Sequence, residues 1–181
     1  MLMGLFRRSA NRRIVDRLHG GIVSAVRRPV LYTGYGVADT FDGRFELLAL
    51  ISTLVVRRLT RLPPPGGELA QDLTDSLFRG LDDDFREMGV GDLAVPKRIK
   101  KFAAALLGRR QAYAAALDLS DNAALVDALW RNVHSGNLAP DDPAVARLAC
   151  YARAVEAALA TTPLNSLMEG PLPFPDPETI A

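Results

Sequence analysis

Apolar residues recur every three or four positions along most of the chain, a spacing that predicts amphipathic α-helices. Residues 11–27 carry one such stripe, made of Ile14, Leu18, Ile22 and Val26. The apolar residues within 2–6 project about half a turn away from this stripe. We therefore expect a break or bend near residues 9–11, with the first helix ending at Pro29.

The next predicted helix, residues 41–62, is apolar almost all round, with a narrow polar stripe of Glu46, Thr53, Arg57 and Thr60. A helix of this kind is typically central and covered on most sides. Asp39 or Thr40 is its predicted N-cap, because a side-chain oxygen there can accept an orphan backbone N–H. The run Pro63–Gly67 predicts its end.

Four more helices are predicted, over residues 68–88 and 93–118, from Ser120–Asp121 and from Asp142–Pro143. Gly89 would cap the third helix, and Pro96 fits only the first turn of the fourth. Five prolines between residues 163 and 177 disfavour a further helix. That tail is predicted to be extended and to pack through Leu164, Leu167, Leu172 and Phe174.

The predicted fold is therefore all-α, a single compact domain of about six helices with a proline-rich C-terminal tail. Residues 1–30 form a basic amphipathic N-terminal helical segment that belongs to the domain. Residues 31–162 form the helical domain proper, and residues 163–181 form the tail. At 181 residues the chain is long enough to bury a proper core.

Charge is balanced overall but unevenly distributed. The net charge is +1, which argues against a general attraction to DNA or membranes. Residues 1–30 nevertheless carry seven arginines and one acid, Asp16. The longest apolar run, Leu47–Val56, is too short to span a membrane. The segment 1–30 is either the first helix of the mature domain or, from its arginine content, a transit peptide.

Signatures of enzyme or cofactor chemistry are weak. His19 and His134 have no metal-ligand spacing, and both are predicted to be structural or surface residues. Cys150 is predicted to be a small packing residue, and a lone cysteine fits a reducing compartment. Gly34–Tyr35–Gly36 lacks the third glycine of a dinucleotide-binding loop. We expect no catalytic residue, no cofactor and no metal.

Three charges interrupt apolar stripes. Asp84 falls inside the stripe of the third helix, and Arg44 and Arg58 fall inside the apolar sectors of the second. An unpaired buried charge is costly, so one hypothesis is that Asp84 pairs with Arg44 or Arg58. The alternative is that each side chain reaches water at the edge of a groove.

Acidic and basic residues occupy separate helical segments. Six acids lie between Asp72 and Glu87, and four bases lie between Lys97 and Lys101. The sequence between them, Met88–Asp92, reads as a helix stop followed by a restart. The basic cluster is either a solvated face or a contact for an acidic partner or for phosphate, in RNA or in lipid headgroups.

Two stretches resemble the ubiquinol–cytochrome c chaperone family, whose members assist cytochrome b and the bc1 complex. The first is Tyr32–Leu59 with its core GVADTFDGRFELL, and the second is Leu81–Gly108 with its core REMGVGDLAVPKR. A weaker match is Ala128–Arg131. The resemblance covers most of residues 30–133. It implies an all-helical domain without catalytic residues, in the shorter bacterial form that lacks the long N-terminal extension of mitochondrial relatives.

The resemblance also implies partners. The expected client is cytochrome b or another bc1 subunit. A small partner protein and the ribosome are further partners of mitochondrial relatives, and the basic N-terminus offers a peripheral membrane contact. The location implied is the bacterial cytoplasm or inner-membrane surface, or the mitochondrial matrix in a eukaryote. As the partner-binding surface we predict Tyr32, Asp39, Asp42, Arg44, Phe45, Asp82, Asp83, Asp84, Met88, Lys97, Arg98, Lys100 and Lys101.

Two other functions stay open from the residues alone. A ribosome- or RNA-associated binding protein would use the arginine-rich start and the Lys97 cluster, although the near-neutral net charge argues against it. The other is a domain that binds haem or a small molecule, either as an enzyme or as a binding protein. It would need His19 or His134 as a ligand.

Overall fold

The computed structural model describes residues 2–87, 95–134 and 136–180, with the backbone alone at residues 2–10, 85 and 95. Within these ranges the secondary structure is helical and contains no strand, which confirms the all-α prediction. The helices are α1 (Leu2–Val26), α2 (Val30–Thr33), α3 (Phe41–Thr60), α4 (Gly66–Glu87), α5 (Val95–Leu117), α6 (Ala123–Leu129), α7 (Pro143–Thr161) and α8 (Leu164–Glu169). A π-helical turn, Trp130–His134, continues α6, and a 3-10 turn follows at Pro177–Thr179.

Side-chain caps fix where two of the main helices begin. Thr40 is the N-cap of α3, and its hydroxyl accepts a hydrogen bond from the backbone N–H of Gly43 (3.2 Å). Asp142 caps α7 in the same way through Ala144 N–H (2.9 Å), with Pro143 in the first turn, where no N–H is needed. These caps confirm one of the two predicted N-caps of the second helix and the predicted start of the last long one.

The core is built around α3, which packs against α1, α4, α5 and α7. Its residues Leu47, Leu50, Ile51, Val55 and Leu59 are fully buried. The central position predicted from its apolar surface is therefore confirmed. Its polar stripe is covered only in part, since Glu46 and Thr53 are buried, Arg57 is half-buried and Thr60 is exposed. Helices α5 and α7 supply ionic partners for Glu46 and Arg57. Arg57, for example, donates to Asp118 of the turn after α5 (2.5 Å) and to Glu156 of α7 (3.1 Å).

The two ends of the chain differ from the prediction. Helix α1 runs without a break from Leu2 to Val26, so the predicted bend near residues 9–11 is wrong. The tail contains helix α8, which fits between Pro163 and the prolines that start at Pro171. The predicted packing of the tail is confirmed, since Leu167 is fully buried and Leu164, Leu172 and Phe174 lie against the core.

The tail is fastened to the start of the domain by two hydrogen bonds. The Tyr35 hydroxyl donates to the carbonyl of Pro177 (2.7 Å), and the Arg28 guanidinium pairs with Asp176 (2.6 Å). The terminal segment therefore packs as part of the same helical unit.

Two further side chains lie elsewhere than predicted. Cys150 is exposed, because its neighbours Ala149 and Ala152 occupy the inward positions of α7. Arg58 is half-buried, and its guanidinium donates to the carbonyl of Thr162 at the end of α7 (2.8 Å). Neither residue contacts the candidate site described below.

Candidate partner-binding site

A groove of about 430 Å³ opens where the C-terminal ends of α1 and α4 meet the start of α3. Helices α1 and α4 touch through His19, whose Nδ1 lies 2.9 Å from the Ser76 hydroxyl. The groove lies beyond this contact along both helices. Its α1–α2 side consists of Val23, Val26, Arg27 and Tyr32, its α3 side of Phe41, Arg44, Phe45 and Leu48, and its α4 side of Leu81, Asp84 and Glu87.

The aromatic wall of the groove is held in place by a backbone contact. The Tyr32 hydroxyl donates to the carbonyl of Val26 at the end of α1 (2.7 Å), which satisfies one of the orphan acceptors of that helix terminus. A tyrosine hydroxyl is protonated, and therefore a donor, at neutral pH, and burial raises the pKa of Tyr32 further from that range. The ring is thereby presented to the groove in one orientation.

The predicted pair between Asp84 and Arg44 or Arg58 is wrong. Arg44 pairs instead with Asp39, through Nε (2.8 Å) and Nη2 (2.7 Å), and both partners are exposed. Asp84 is exposed on the α4 side of the same groove that Arg44 lines. The alternative expectation, that these charges reach water at a groove edge, is confirmed for Arg44 and Asp84.

A second cavity, which we call the cleft, has a volume of about 450 Å³ and lies between the start of α3, α5 and the π-helical turn. At its base Arg109 forms a bidentate ion pair with Glu46, with Nη2–Oε1 at 2.6 Å and Nε–Oε2 at 2.9 Å. Burial raises the pKa of Glu46, although Arg109 acts in the opposite direction. Asp42 and Lys101 line the cleft nearer to solvent.

Three phenylalanines separate the groove from the cleft. Phe102 of α5 makes edge-to-face contacts with Phe41 (ring centroids 5.5 Å apart) and with Phe45 (4.5 Å). Phe45 lines both cavities. We call this cluster the aromatic ridge. It belongs to a small apolar core between α3, α4 and α5 that also contains Leu81 and Leu106.

The structure brings only part of the predicted surface together. The groove contains Tyr32, Arg44, Phe45 and Asp84, and Asp39 holds Arg44 at its rim. The cleft contains Asp42, Phe45 and Lys101. Asp82 pairs with Arg86 one turn along α4, and Asp83 is exposed; neither lines the groove or the cleft. Lys97, Arg98 and Lys100 are exposed on the first turns of α5, and Met88 lies outside the described residues.

Several lining residues escaped the sequence analysis. Val23 and Arg27 of α1 line the groove, yet nothing in their local pattern distinguishes them from other surface positions. Arg109 and Asn132 line the cleft from distant parts of the chain. Glu46 was identified only as part of the narrow polar stripe of its helix, so its burial and its pairing with Arg109 were not predicted.

Groups with reactive potential lie away from the groove and the cleft or are enclosed. His134 is fully buried, and burial lowers its pKa; the backbone of Gly36 acts in the opposite direction without forming a hydrogen bond of good geometry. Burial also lowers the pKa of His19. Over the described part of the chain, no group of three or more His, Cys, Asp or Glu residues is arranged to hold a metal ion. In the same ranges, no helix combines the length and hydropathy required to cross a bilayer.

Comparisons with known proteins agree on one family. The family model described as "Ubiquinol-cytochrome C chaperone" matches residues 33–174. The chain is also similar to the crystal structure of the Cbp3 homolog from Brucella abortus, with 37% sequence identity, a TM-score of 0.86 and coverage of 100% of each chain. No curated protein matches the chain significantly.

Proposed function

The chain belongs to the ubiquinol–cytochrome c chaperone family, and we propose that it binds newly made cytochrome b and promotes assembly of the bc1 complex. The observation that carries this proposal is the family match over residues 33–174, together with full-length similarity to a Cbp3 homolog. That segment includes the α3 and α4 sides of the groove and all of the cleft. The α1–α2 side of the groove precedes the matched segment.

The geometry supports binding rather than bond-making. An assembly chaperone needs an apolar surface for its client and charges that set orientation, and the groove supplies both. The ion pairs Arg109–Glu46 and Arg44–Asp39 hold charged side chains in fixed positions beside apolar walls. We infer that the protein acts without catalysis and without a cofactor of its own.

Because the proposed client is a membrane protein, we expect the chaperone to act at a membrane surface. Residues 1–30 carry seven arginines and one acid, which favours contact with anionic headgroups. We propose a bacterial cytoplasmic location with peripheral attachment to the inner membrane. Pelleting with vesicles that contain anionic lipid, but not with neutral vesicles, would support the attachment; equal behaviour towards both would contradict it.

Gene deletion in the host tests the main proposal. Cytochrome b level and bc1 activity are scored separately. Loss of a chaperone for cytochrome b should lower the cytochrome b level as well as the bc1 activity. Wild-type complementation should restore both. A strain that keeps normal cytochrome b and normal bc1 activity after deletion would refute the proposal.

A capture experiment tests client binding directly. The tagged protein should recover cytochrome b from detergent-solubilised membranes. The charge reversal Lys97→Glu, Lys100→Glu and Lys101→Glu tests the exposed basic turns of α5 and should reduce recovery. Recovery unaffected by the triple variant would remove the basic turns from the binding surface.

Contact with RNA or the ribosome is the second candidate, favoured by the exposure of Lys97, Arg98, Lys100 and Lys101 on adjacent turns. Phosphate binding through these bases would weaken steeply as salt rises, with a slope set by the number of phosphates neutralised. Absence of salt-dependent RNA binding would exclude this candidate.

A further inference from the structure

The groove combines an apolar lining with charges that form no ion pair within the described part of the chain. Arg27 on the α1 side, and Asp84 and Glu87 on the α4 side, are exposed, and none of the three makes an ion pair with another described residue. Arg44 is neutralised by Asp39. The α1 side therefore carries one uncompensated positive charge and the α4 side two uncompensated negative charges.

The size of the groove limits what can enter it. A volume of about 430 Å³ is within the range of pockets that hold small ligands and is too small to enclose a whole helix. It suits a few large apolar side chains presented by one face of a segment that lies across the opening. Such side chains occur on one face of an amphipathic helix at positions i, i+3, i+4 and i+7.

We propose that the groove binds an amphipathic α-helical segment of the client, whose apolar stripe is flanked by a basic residue on one side and an acidic residue on the other. The basic residue would lie against Asp84 and Glu87, and the acidic residue against Arg27. This inference rests on the proposed chaperone function and specifies which kind of client segment the groove recognises. The uncompensated charges fix the direction in which the helix lies.

The charges argue against other occupants. Asp84 and Glu87 would repel the phosphates of RNA and the headgroups of anionic lipid. A helix that is apolar all round would leave all three charges facing hydrocarbon, which is costly when they are desolvated. A segment with both signs of charge satisfies them at once.

Designed peptides test the predicted preference for a helix with opposite charges on its two flanks, which we call the charge rule. The probe is a fluorescein-labelled 18-residue amphipathic helix with a leucine stripe, flanked by lysines on one side and glutamates on the other. The comparison peptides carry glutamates on both flanks or lysines on both flanks. Fluorescence anisotropy at low salt should show tightest binding for the mixed peptide. Equal binding of all three would overturn the charge rule.

Variants of the groove sharpen the test. The variant Arg27→Glu, or the double variant Asp84→Lys with Glu87→Lys, should lower the affinity for the mixed peptide about threefold to tenfold. The effect is modest because exposed ion pairs are weak. Combining all three reversals exchanges the signs of the two sides. Binding should then return to near the wild-type value, because the peptide can turn end for end. A combined variant that binds no better than the partial ones would overturn the proposal.

The apolar contact has its own test. Val23 lines the groove, is half-buried and belongs to neither core cluster. Val23→Lys should abolish binding of the mixed peptide without lowering the melting temperature appreciably, whereas Val23→Ile should retain it. Unchanged binding by Val23→Lys would show that the peptide binds elsewhere and would overturn the proposal.

Arg13→Glu is the matched control, since Arg13 is an exposed arginine on the same helix that does not line the groove. It should leave peptide binding within about twofold of wild type. A loss of binding as large as that of Arg27→Glu would overturn the charge rule.

Capture of cytochrome b distinguishes the groove inference from the proposed chaperone function. If capture is retained by the groove variants, the groove inference fails and the chaperone function stands. If the charge rule holds but the wild-type protein captures no cytochrome b, the proposed client fails and the preference of the groove for a mixed-charge helix stands.

Discussion

Removal of Arg109 should expose the cost of the buried carboxylate beneath the cleft. The Glu46 side chain is only 10% exposed, whereas that of Arg109 is 26% exposed. In the variant Arg109→Met the carboxylate of Glu46 would lose three hydrogen bonds of 2.6, 2.9 and 3.2 Å and its counter-charge while remaining buried.

The expected magnitude follows from the burial of the pair. Leaving one member of a fully buried ion pair unpaired costs about 3–5 kcal/mol. Partial exposure of Arg109 lets water replace some of its contacts, so we expect Arg109→Met to lower the free energy of unfolding by about 2–3 kcal/mol. For a domain of this size the melting temperature should fall by about 4–12 °C. Urea denaturation and thermal melts followed by circular dichroism measure both quantities.

Two further measurements separate this cause from a general loss of packing. The double variant Glu46→Met, Arg109→Met should recover most of the lost stability, because an apolar pair of similar volume avoids the desolvation cost. The deficit of Arg109→Met should also shrink as the pH is lowered toward about 5. Burial already raises the pKa of Glu46, and loss of Arg109 would raise it further, so the folded variant binds a proton more readily than the unfolded chain.

The reasoning would be refuted by either of two results. One is a single variant that is as stable as wild type, which would mean that solvent reaches Glu46 freely. The other is a deficit that does not change with pH and persists in the double variant, which would point to lost packing by the arginine stem.

Three other predictions concern the frame around the site. Arg153→Met should cost about 2–3 kcal/mol in unfolding free energy, because its guanidinium donates to four carbonyls in and after the last turn of α5; Arg147→Met, with one such bond, should cost under about 1 kcal/mol. Gly43→Ala should cost about 3 kcal/mol or more, because the added Cβ would overlap the carbonyl of Ala38, whereas Gly108→Ala, with open space around it, should stabilise α5 by about 0.5–1 kcal/mol. Denaturant titrations check all four variants, and similar effects within either pair would contradict the structural reasons given. Burial lowers the pKa of His19, so the unfolded chain takes up this proton at a higher pH than the folded chain. Stability should therefore fall as the pH drops below the ordinary His pKa of 6.5. His19→Gln should make urea midpoints less dependent on pH between about 7.5 and 5.5, and an unchanged dependence would contradict this.

Helical periodicity was sufficient to predict the fold class and the central helix. The apolar surface of α3 requires partners on several sides, and the structure supplies four of them. Caps and prolines placed the starts of α3 and α7 because their action is local. The break expected in α1 was wrong, and the tail is helical at Leu164–Glu169 but not at residues 171–176. A helix as short as α8 fits between Pro163 and Pro171, a spacing that counting prolines over the whole tail did not reveal.

The site was less predictable because its members are distant in sequence. Arg44 and Asp84 interrupt apolar stripes in the sequence, yet both side chains are exposed at the groove. The ion partner of Arg44 is Asp39, five residues away across the N-cap. Spacing within one helix also gave no indication that Phe102 contacts Phe45, or that Arg109 reaches Glu46. Those contacts depend on the angle at which α5 crosses α3.

We expect the aromatic ridge to couple the groove and the cleft. Among the residues that the structure describes, Phe45 alone lines both the groove and the cleft. A ligand that displaces its ring from one side would therefore alter the shape of the other. Occupancy of the two cavities should therefore be thermodynamically linked, each ligand changing the apparent affinity of the other by the same factor. Titrating one ligand at fixed concentrations of the other would measure that factor, and a value of one would show that the ridge insulates the two cavities.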